Sequence, residues 1–284
     1  MAHALTIAFD ILSLTSILVL LVLGMGVIVS MMGVFNLAHG ELVLLGATTT
    51  WVITTAGAPA WVGILAAPLV VAVIGIFLER LVIRHFYAKP IIGLLGTWGL
   101  GIAIREAVRG ILGGVSHSVA APIAGTVTFA GASISSWRIV VVVITLATLA
   151  GCTAFLRLSR FGLQVRATLE NPMLSRASGI AVSRIYTLTF GFGAALAGLA
   201  GAMLVPLFSL YADLGITFLV RSFLAVMAGG MGTFEAPIGG AIVIGASSAG
   251  VPFLISPLLA DVLVFLAAIT IVRFRPQGIF GGTS

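Results

Sequence analysis

Long apolar runs separated by short polar breaks dominate this chain. A helix that crosses a membrane needs about 20 mostly apolar residues, and nine stretches approach or reach that length. The two nearest the middle of the last third of the chain, 217–233 and 236–251, are marginal. The pattern predicts an all-α polytopic membrane protein with eight or nine transmembrane or broken helices, at residues 10–34, 40–57, 61–79, 91–112, 137–156, 184–208, 217–233, 236–251 and 257–273.

Composition supports the same conclusion. Of the 284 residues, 60% are hydrophobic and only 8% are charged, whereas soluble domains carry about 25% charged residues. Such a chain has too little polar surface to face water, so the bilayer must solvate most of it. The formal net charge of +6 is spread over short clusters between apolar runs. That distribution is typical of topology determinants and does not indicate nucleic-acid binding.

The basic residues also predict an orientation. They concentrate at residues 80–89, at 157–184 and at 273–275, and the positive-inside rule places such segments in the cytoplasm. Residues 113–136 carry no charge at all and are predicted to lie outside, as is the short polar stretch around Asp213. The side on which the N-terminus lies stays open, because the polar breaks before residue 60 either cross the membrane or re-enter it.

A polar cluster interrupts the apolar pattern in "GVFNLAHGELVLLGA" (33–47). Shifted by 199 residues, "MGVFNLAHGELVLLGA" (32–47) aligns with "MGTFEAPIGGAIVIGA" (231–246), with six identities. We interpret this match as an internal pseudo-repeat, with halves 10–112 and 137–282 inside a single transmembrane domain, 1–284. Glycine-interrupted segments at corresponding places in two halves point to a transporter's solute path. Non-helical backbone inside a membrane is tolerated only where protein or a water-filled cavity satisfies it.

The candidate solute path combines polar and glycine residues from both aligned stretches. An alternative interpretation of the first stretch is structural. In that case Glu41 begins the next helix, where the helix dipole stabilises its charge, and His39 bonds a neighbouring carbonyl. Both interpretations stay open at this point for the candidate path residues Asn36, His39, Gly40, Glu41, Gly232, Phe234 and Glu235.

The segment "RLSRFGLQVRATLENPMLSRASGIAVSR" (157–184) is the longest basic stretch. Its "LQVRATLE" core predicts a short helix that ends at Asn171–Pro172, because proline disfavours helical conformation in the residue before it. Gly179 predicts a second turn. The arginines either meet anionic lipid headgroups or flank a helix that docks on a cytoplasmic partner.

Further charges lie near the outer end of the fourth segment, in "TWGLGIAIREAVRGILGG". Arg105, Glu106 and Arg109 either pair with one another, extend to the interface, or contact the solute. Arg221, at the start of the seventh segment, has the same alternatives. Gly24, Gly26 and the run "GFGAALAGLAGA" (191–202) supply small residues at helical spacing, which favours close helix packing.

Motifs for catalysis are missing from the sequence. The only lysine, Lys89, precedes Pro90, and there is no G-x-x-x-x-G-K-[ST] phosphate loop. The four histidines lie far apart and do not have the spacing of metal ligands. The sequence therefore predicts a protein that is not an enzyme and that binds no cofactor or metal of its own.

Five stretches together resemble, in the family's order, the permease subunits of branched-chain amino acid ABC importers. The resemblance extends from residue 15 to residue 282. The stretches are "GVFNLAHGELVLLGA", "GLQVRATLENPMLSRASGI", "LTFGFGAALAGLAGAML", "FLAVMAGGMGTFEAPIGGAIVIG" and "RPQGIFG".

The resemblance implies a multi-pass subunit of the bacterial inner membrane. Its expected partners are a second permease subunit, identical or homologous, two cytoplasmic ATPases that hold ATP and Mg, a periplasmic substrate-binding protein, and membrane lipid. It also implies that the basic segment 157–184 is the loop that couples this chain to an ATPase, with the residues Arg166, Glu170, Asn171, Pro172, Ser178 and Gly179.

The resemblance favours a branched-chain or other hydrophobic amino acid as the solute, with urea or a short amide as the alternative. "LLGTWGLGIAIREAVR" and "ADLGITFLVRSFLAVMAGGMG" are similar to the urea-type branch of the family. Arg221 and Leu37 depart from that branch, which usually has Asp and Met at these places. A remote alternative is a stand-alone channel or secondary transporter.

Overall fold

The computed structural model describes residues 2–33, 35–87, 90–129 and 131–281. Lys89, used in the charge assignment, and residue 282, the predicted end of the second half, lie outside these ranges. Within them the chain is mostly helical. The helices are α1 (Ala2–Met32), α2 (His39–Thr55), α3 (Ala60–Leu81), α4 (Pro90–Leu112), α5 (Ser136–Leu158), α6 (Arg160–Glu170), α7 (Pro172–Ala177), α8 (Val182–Leu204), α9 (Leu214–Gly229), α10 (Glu235–Gly250) and α11 (Pro257–Phe274).

Short elements complete the described chain. Strands β1 (Thr126–Phe129) and β2 (Ala132–Ser135) form an antiparallel hairpin in which Thr126 lies opposite Ser135. Single 3-10 turns follow α3 at Ile83–Phe86 and α10 at Val251–Phe253. The hairpin falls inside the uncharged stretch 113–136, for which no strands were predicted.

Nine helices of the described chain coincide with the nine predicted apolar segments. Seven of them (α1, α3, α4, α5, α8, α10 with its 3-10 turn, and α11) are long and apolar enough to cross a membrane. The other two, α2 and α9, have 17 and 16 residues, which is shorter than the roughly 20 residues of a full crossing. The prediction of an all-α polytopic membrane protein with eight or nine transmembrane or broken helices is confirmed.

Contacts between α1 and α5 show on which side of the membrane the N-terminus lies. Asp10 pairs with Arg138, and the Thr145 hydroxyl lies 3.4 Å from the Ser16 carbonyl oxygen. At the other end, Met31 and Leu156 line one cavity. The two helices therefore run in the same direction, and α1 begins at the face that carries the hairpin. Since basic residues gather at the opposite face, the hairpin face is the outer one.

Close backbone packing holds the centre of the bundle together. A Cβ atom on Gly24 of α1 would lie only 2.6 Å from the carbonyl oxygen of Gly193 on α8, and one on Gly198 of α8 would lie 2.8 Å from that of Ala67 on α3. Glycine at these positions lets the helices approach more closely than side chains would allow. The packing role predicted for Gly24 and for residues 191–202 is confirmed.

Helix α2 begins deep inside the bundle. After α1 ends at Met32, non-helical residues lead back towards the middle of α1, and the His39 ring lies 3.3 Å from the Leu21 carbonyl oxygen. Leu21 precedes the end of α1 by 11 residues, or about 16 Å at 1.5 Å per residue. The polar break found in the sequence therefore lies at membrane depth, and α2 continues from it to the outer face.

Candidate functional site

The polar residues of the first aligned stretch are buried. Asn36 is 5% exposed, His39 1% and Glu41 0%. The Asn36 side-chain oxygen accepts a hydrogen bond of 3.0 Å from the Ala38 N–H, which stabilises the turn before α2. His39 contacts the Leu21 carbonyl, and Glu41 lies in the first turn of α2, as the structural interpretation predicts. The solute-path role of Asn36, His39, Gly40 and Glu41 stays a prediction.

Several buried polar atoms of this break have no partner among the described residues. They are Asn36 Nδ2, His39 Nδ1 and Glu41 Oε2. A buried donor or acceptor left without a hydrogen bond costs about 1–3 kcal/mol. The structural interpretation accounts for one nitrogen of His39 and one oxygen of Glu41, and it leaves these three atoms unexplained.

A chain of charged side chains leads from this cluster to the outer face. Arg105 on α4 donates to Glu41 Oε1 through Nε (3.1 Å) and Nη2, and its Nε lies 4.0 Å from Asp213 Oδ1. Arg109, one turn further along α4, donates from Nη2 to both oxygens of Asp213 (3.0 and 3.2 Å). Its Nε lies 3.2 Å from Glu106 Oε2.

The sequence predicted these pairings only in part. The pairing of Glu106 with Arg109 was among the alternatives and is present. The partnership of Arg105 with Glu41 was missed, because the two residues lie 64 positions apart and nothing local signals it. The role of Asp213 as a partner of Arg109 was missed for the same reason. Arg221 pairs with Asp261, with 3.0 Å between Nη2 and Oδ1.

Glycines allow close contact between the polar break and helix α9. A Cβ on Gly40 would collide with the Gly215 carbonyl, and one on Gly215 would lie 2.7 Å from Glu41 Oε2. The starts of α2 and α9 are thus in backbone contact beside the Glu41 carboxylate. This contact fixes the position of both short helices.

The second group of predicted path residues lies at the inner end of the bundle. Gly232, Phe234 and Glu235 line a cavity of about 350 Å³ together with Arg166 and Glu170 of the predicted coupling segment. Glu235, the first residue of α10, accepts hydrogen bonds from Arg157 on α5 at 2.6 and 3.2 Å. The structure therefore joins Gly232, Phe234 and Glu235 to the coupling segment, while Asn36, His39 and Glu41 form a separate buried cluster.

The predicted coupling segment, 157–184, contains two short helices at the inner face, and its coupling role stays a prediction. Helix α6 ends at Glu170, as its sequence predicts, and the Asn171 side-chain oxygen then caps α7 by accepting from the Leu174 N–H at 2.9 Å. Helix α7, which begins with Pro172 and ends before Ser178, was not predicted. Gly179 supplies the predicted turn with φ +84°, a conformation that favours glycine.

Large apolar side chains are exposed on these two helices. Met173 is 80% exposed, and Leu163, Leu169 and Leu174 are also exposed. Arginines border them, and Arg166 donates to the Leu156 carbonyl at the end of α5. Exposed apolar patches with polar rims on the aqueous side of a protein mark interaction sites. We call α6 and α7 together the coupling surface.

An outer cavity of about 290 Å³ lies between the end of α4 and the residues before α9. It is lined by charged, hydroxyl and apolar side chains, namely Arg109, Leu112, Val115, Ser116, Tyr211 and Asp213. The described part of the chain contains no group of three or more His, Cys, Asp or Glu residues that could hold a metal ion.

The fold and site define a membrane transport subunit, and comparison with known proteins identifies the family. The family described as "Branched-chain amino acid transport system / permease component" matches residues 7–272. The chain therefore belongs to this family of permease components, and it is a multi-pass membrane protein.

Named relatives span nearly the whole chain. The high-affinity branched-chain amino acid transport system permease protein LivH of Salmonella typhimurium is 27% identical over 297 residues, covering 96% of this chain and 94% of the relative. The corresponding protein BraD of Pseudomonas aeruginosa is 27% identical and covers 92% and 91%.

A solved structure shares the fold. It is PsaBC from Streptococcus pneumoniae in complex with Fab, with a TM-score of 0.51 and 14% sequence identity, covering 96% of this chain and 92% of that one. At this identity the likeness concerns the fold alone.

Proposed function

We propose that this chain is the membrane-spanning permease subunit of an ABC importer in the bacterial inner membrane. It moves a branched-chain or other hydrophobic amino acid from a periplasmic binding protein to the cytoplasm. The family match over residues 7–272 and the names of the full-length relatives support this solute. In this proposal the chain is not catalytic and binds no cofactor, and ATP and Mg are held by the partner ATPases.

The exposed apolar side chains of the coupling surface support the proposed contact with an ATPase. Its apolar side chains face away from the bundle, at the face where basic residues gather. A complete importer has two ATPases and a second permease subunit, so each ATPase receives one coupling surface. Burial of a side chain such as Met173 in a partner would stabilise the complex by about 1.5–3 kcal/mol.

Side-chain contacts connect the coupling surface to the helices of the bundle. Arg166 on α6 binds the Leu156 carbonyl on α5, and Arg157 on α5 binds Glu235 at the start of α10. Closure of the ATPases would therefore shift α5 and α10 together with α6. We infer that this shift changes which side of the membrane the path opens to, as in rigid-body transitions of other switching proteins.

The test is ATP-dependent uptake of labelled leucine by proteoliposomes that contain the full complex. Glu170→Arg and Met173→Asp each alter the coupling surface, so we expect both to reduce uptake and the amount of ATPase that co-purifies. The matched control for Met173→Asp is Val127→Asp, which places the same negative charge on an exposed valine of the outer hairpin. It should leave both measurements unchanged. Normal ATPase binding and uptake in both coupling variants would contradict the proposal.

A further inference from the structure

One face of α4 carries charge at a depth where lipid disfavours it. The helix spans Pro90–Leu112, so its midpoint is residue 101 and Glu106 lies about 7.5 Å beyond it. The hydrocarbon core extends about 15 Å on either side of its centre. The Glu106 side chain is nevertheless 57% exposed, and Arg109 beside it is 42% exposed.

Charged side chains within membrane segments almost always face the interior of a bundle or a water-filled cavity. This face of α4 therefore borders water or a polar partner instead of lipid. The outer cavity, which Arg109 and Asp213 line, begins beside it. Glu106, Arg109 and Asp213 together form what we call the outer charge cluster.

The Arg109 guanidinium keeps unused hydrogen-bonding capacity. Its Nη2 donates to Asp213, but its Nε forms no hydrogen bond even though Glu106 Oε2 is 3.2 Å away. A guanidinium has five N–H donors and binds carboxylates with two parallel hydrogen bonds. The Nε is buried beside Glu106, but the Arg109 side chain is 42% exposed, so its remaining N–H groups can donate to a further carboxylate.

The outer charge cluster also has one carboxylate more than it can neutralise. With the buried Glu41 included, three carboxylates face only two guanidinium groups. Arg105 pairs with Glu41 and lies 4.0 Å from Asp213, and Arg109 pairs with Glu106 and Asp213. An ammonium group would balance the remaining negative charge. The cavity walls beside the cluster, Leu112 and Val115, are apolar.

We propose that the outer charge cluster binds the α-carboxylate and α-ammonium groups of an amino acid as it enters the path. Arg109 contacts the carboxylate, Asp213 or Glu106 contacts the ammonium, and Leu112 and Val115 contact the side chain. The proposal rests on the amino-acid permease function above. Uncharged urea would gain neither ionic contact.

The test compares two measurements on the full complex in proteoliposomes, namely labelled leucine uptake and ATP hydrolysis stimulated by the loaded binding protein. We expect Arg109→Gln to reduce leucine uptake about tenfold or more, the scale of a lost charge-assisted hydrogen bond, while stimulated ATP hydrolysis stays close to the wild-type rate. Arg138→Gln removes the partner of Asp10 on the same face and should change neither measurement.

A reversed ion pair separates solute binding from structural support. Arg109→Asp combined with Asp213→Arg restores an ion pair between the two positions but removes the carboxylate-binding guanidinium from α4, so uptake should stay low while stimulated ATP hydrolysis stays close to the wild-type rate. Recovery of uptake in this double variant would show that the pair is only structural and would overturn the proposal.

Other outcomes also decide the question. A parallel loss of uptake and ATP hydrolysis in Arg109→Gln would indicate a docking contact for the binding protein, and wild-type uptake would exclude a solute contact. Either result overturns the outer charge cluster as a solute site while leaving the permease function intact. Failure of the wild-type complex to move leucine, with urea moved instead, would overturn the proposed function itself.

Discussion

Arg105 connects a fully buried acidic side chain to the outer surface of the bundle. Its own side chain is 12% exposed, and that of its partner Glu41 is 0% exposed. Removing one member of a buried ion pair leaves the other charge without compensation, which typically costs 3–5 kcal/mol. Pairs that face water contribute only about 0–1 kcal/mol. The buried Arg105–Glu41 pair and the exposed Arg109–Glu106 pair should therefore differ strongly in their effect on stability.

Glu41→Gln tests this difference at the level of one residue. The substitution keeps the shape of the side chain but leaves the buried Arg105 with only Asp213, 4.0 Å from its Nε, as a counter-charge, so we expect a clear decrease in the melting temperature of the detergent-solubilised protein. Arg105→Gln added to it should recover part of the loss. Glu106→Gln, on the exposed pair of the same helix, serves as the control and should melt like the wild type. Equal melting temperatures for Glu41→Gln and Glu106→Gln would show that the buried pair contributes no more to stability than the exposed pair.

The short helices α2 and α9 owe their positions to glycine contacts. Their starts touch at Gly40 and Gly215, beside the Glu41 carboxylate. Neither helix is long enough for a full crossing, so packing against neighbouring elements must hold them at their depth. Where backbones are in contact, even a methyl group forces them apart.

Gly215→Ala should therefore destabilise the bundle. Its methyl group would lie 2.7 Å from Glu41 Oε2 and closer still to the Gly40 carbonyl, and overpacking of this kind typically costs 1–3 kcal/mol. The control is Gly99→Ala on α4, where a Cβ meets nothing within 4 Å and alanine is the better helix former. Thermal unfolding of both variants decides the matter, and a Gly215→Ala protein as stable as the control would contradict the packing account.

At the scale of the whole molecule, the described residues form seven helices long enough to cross between an outer and an inner face, and the shorter helices α2 and α9 lie among them. The N-terminal end of α1 lies at the outer face with the hairpin, and the coupling surface lies at the inner one. The segment after α11 returns to the inner end of α9, where the Ile279 N–H donates to the Ala228 carbonyl at 2.8 Å. An odd number of crossings therefore separates the two ends of the described chain.

Cysteine labelling in intact cells tests this orientation. Because Cys152 is the only cysteine and is buried, Cys152→Ser provides a background without reactive thiols. On that background, His3→Cys and Val127→Cys should react with a membrane-impermeant maleimide in intact cells, whereas Ser178→Cys should react only after permeabilisation. Protection of His3→Cys until permeabilisation would place the N-terminus inside and contradict the orientation.

Local sequence features predicted the elements of this protein but few of their contacts. Apolar runs identified nine of the eleven helices in the described chain, and Asn171–Pro172 identified the end of α6, since these signals depend on neighbouring residues. The Glu41–Arg105 pair and the place of Asp213 depend on helix packing between distant segments. Likewise, the sequence grouped Glu235 with Asn36 because their surroundings align, whereas packing places Glu235 against Arg157 at the inner face.

The most direct test of the account is uptake by the reconstituted complex, with labelled leucine and labelled urea offered separately and the ATPase subunits either present or absent. We expect leucine uptake that requires both ATP and the ATPase subunits, and little urea uptake. Urea uptake under the same conditions would identify urea, the alternative solute, as the one that this chain transports. Uptake that persists without ATPase subunits would contradict the ABC permease function and indicate a channel or secondary transporter.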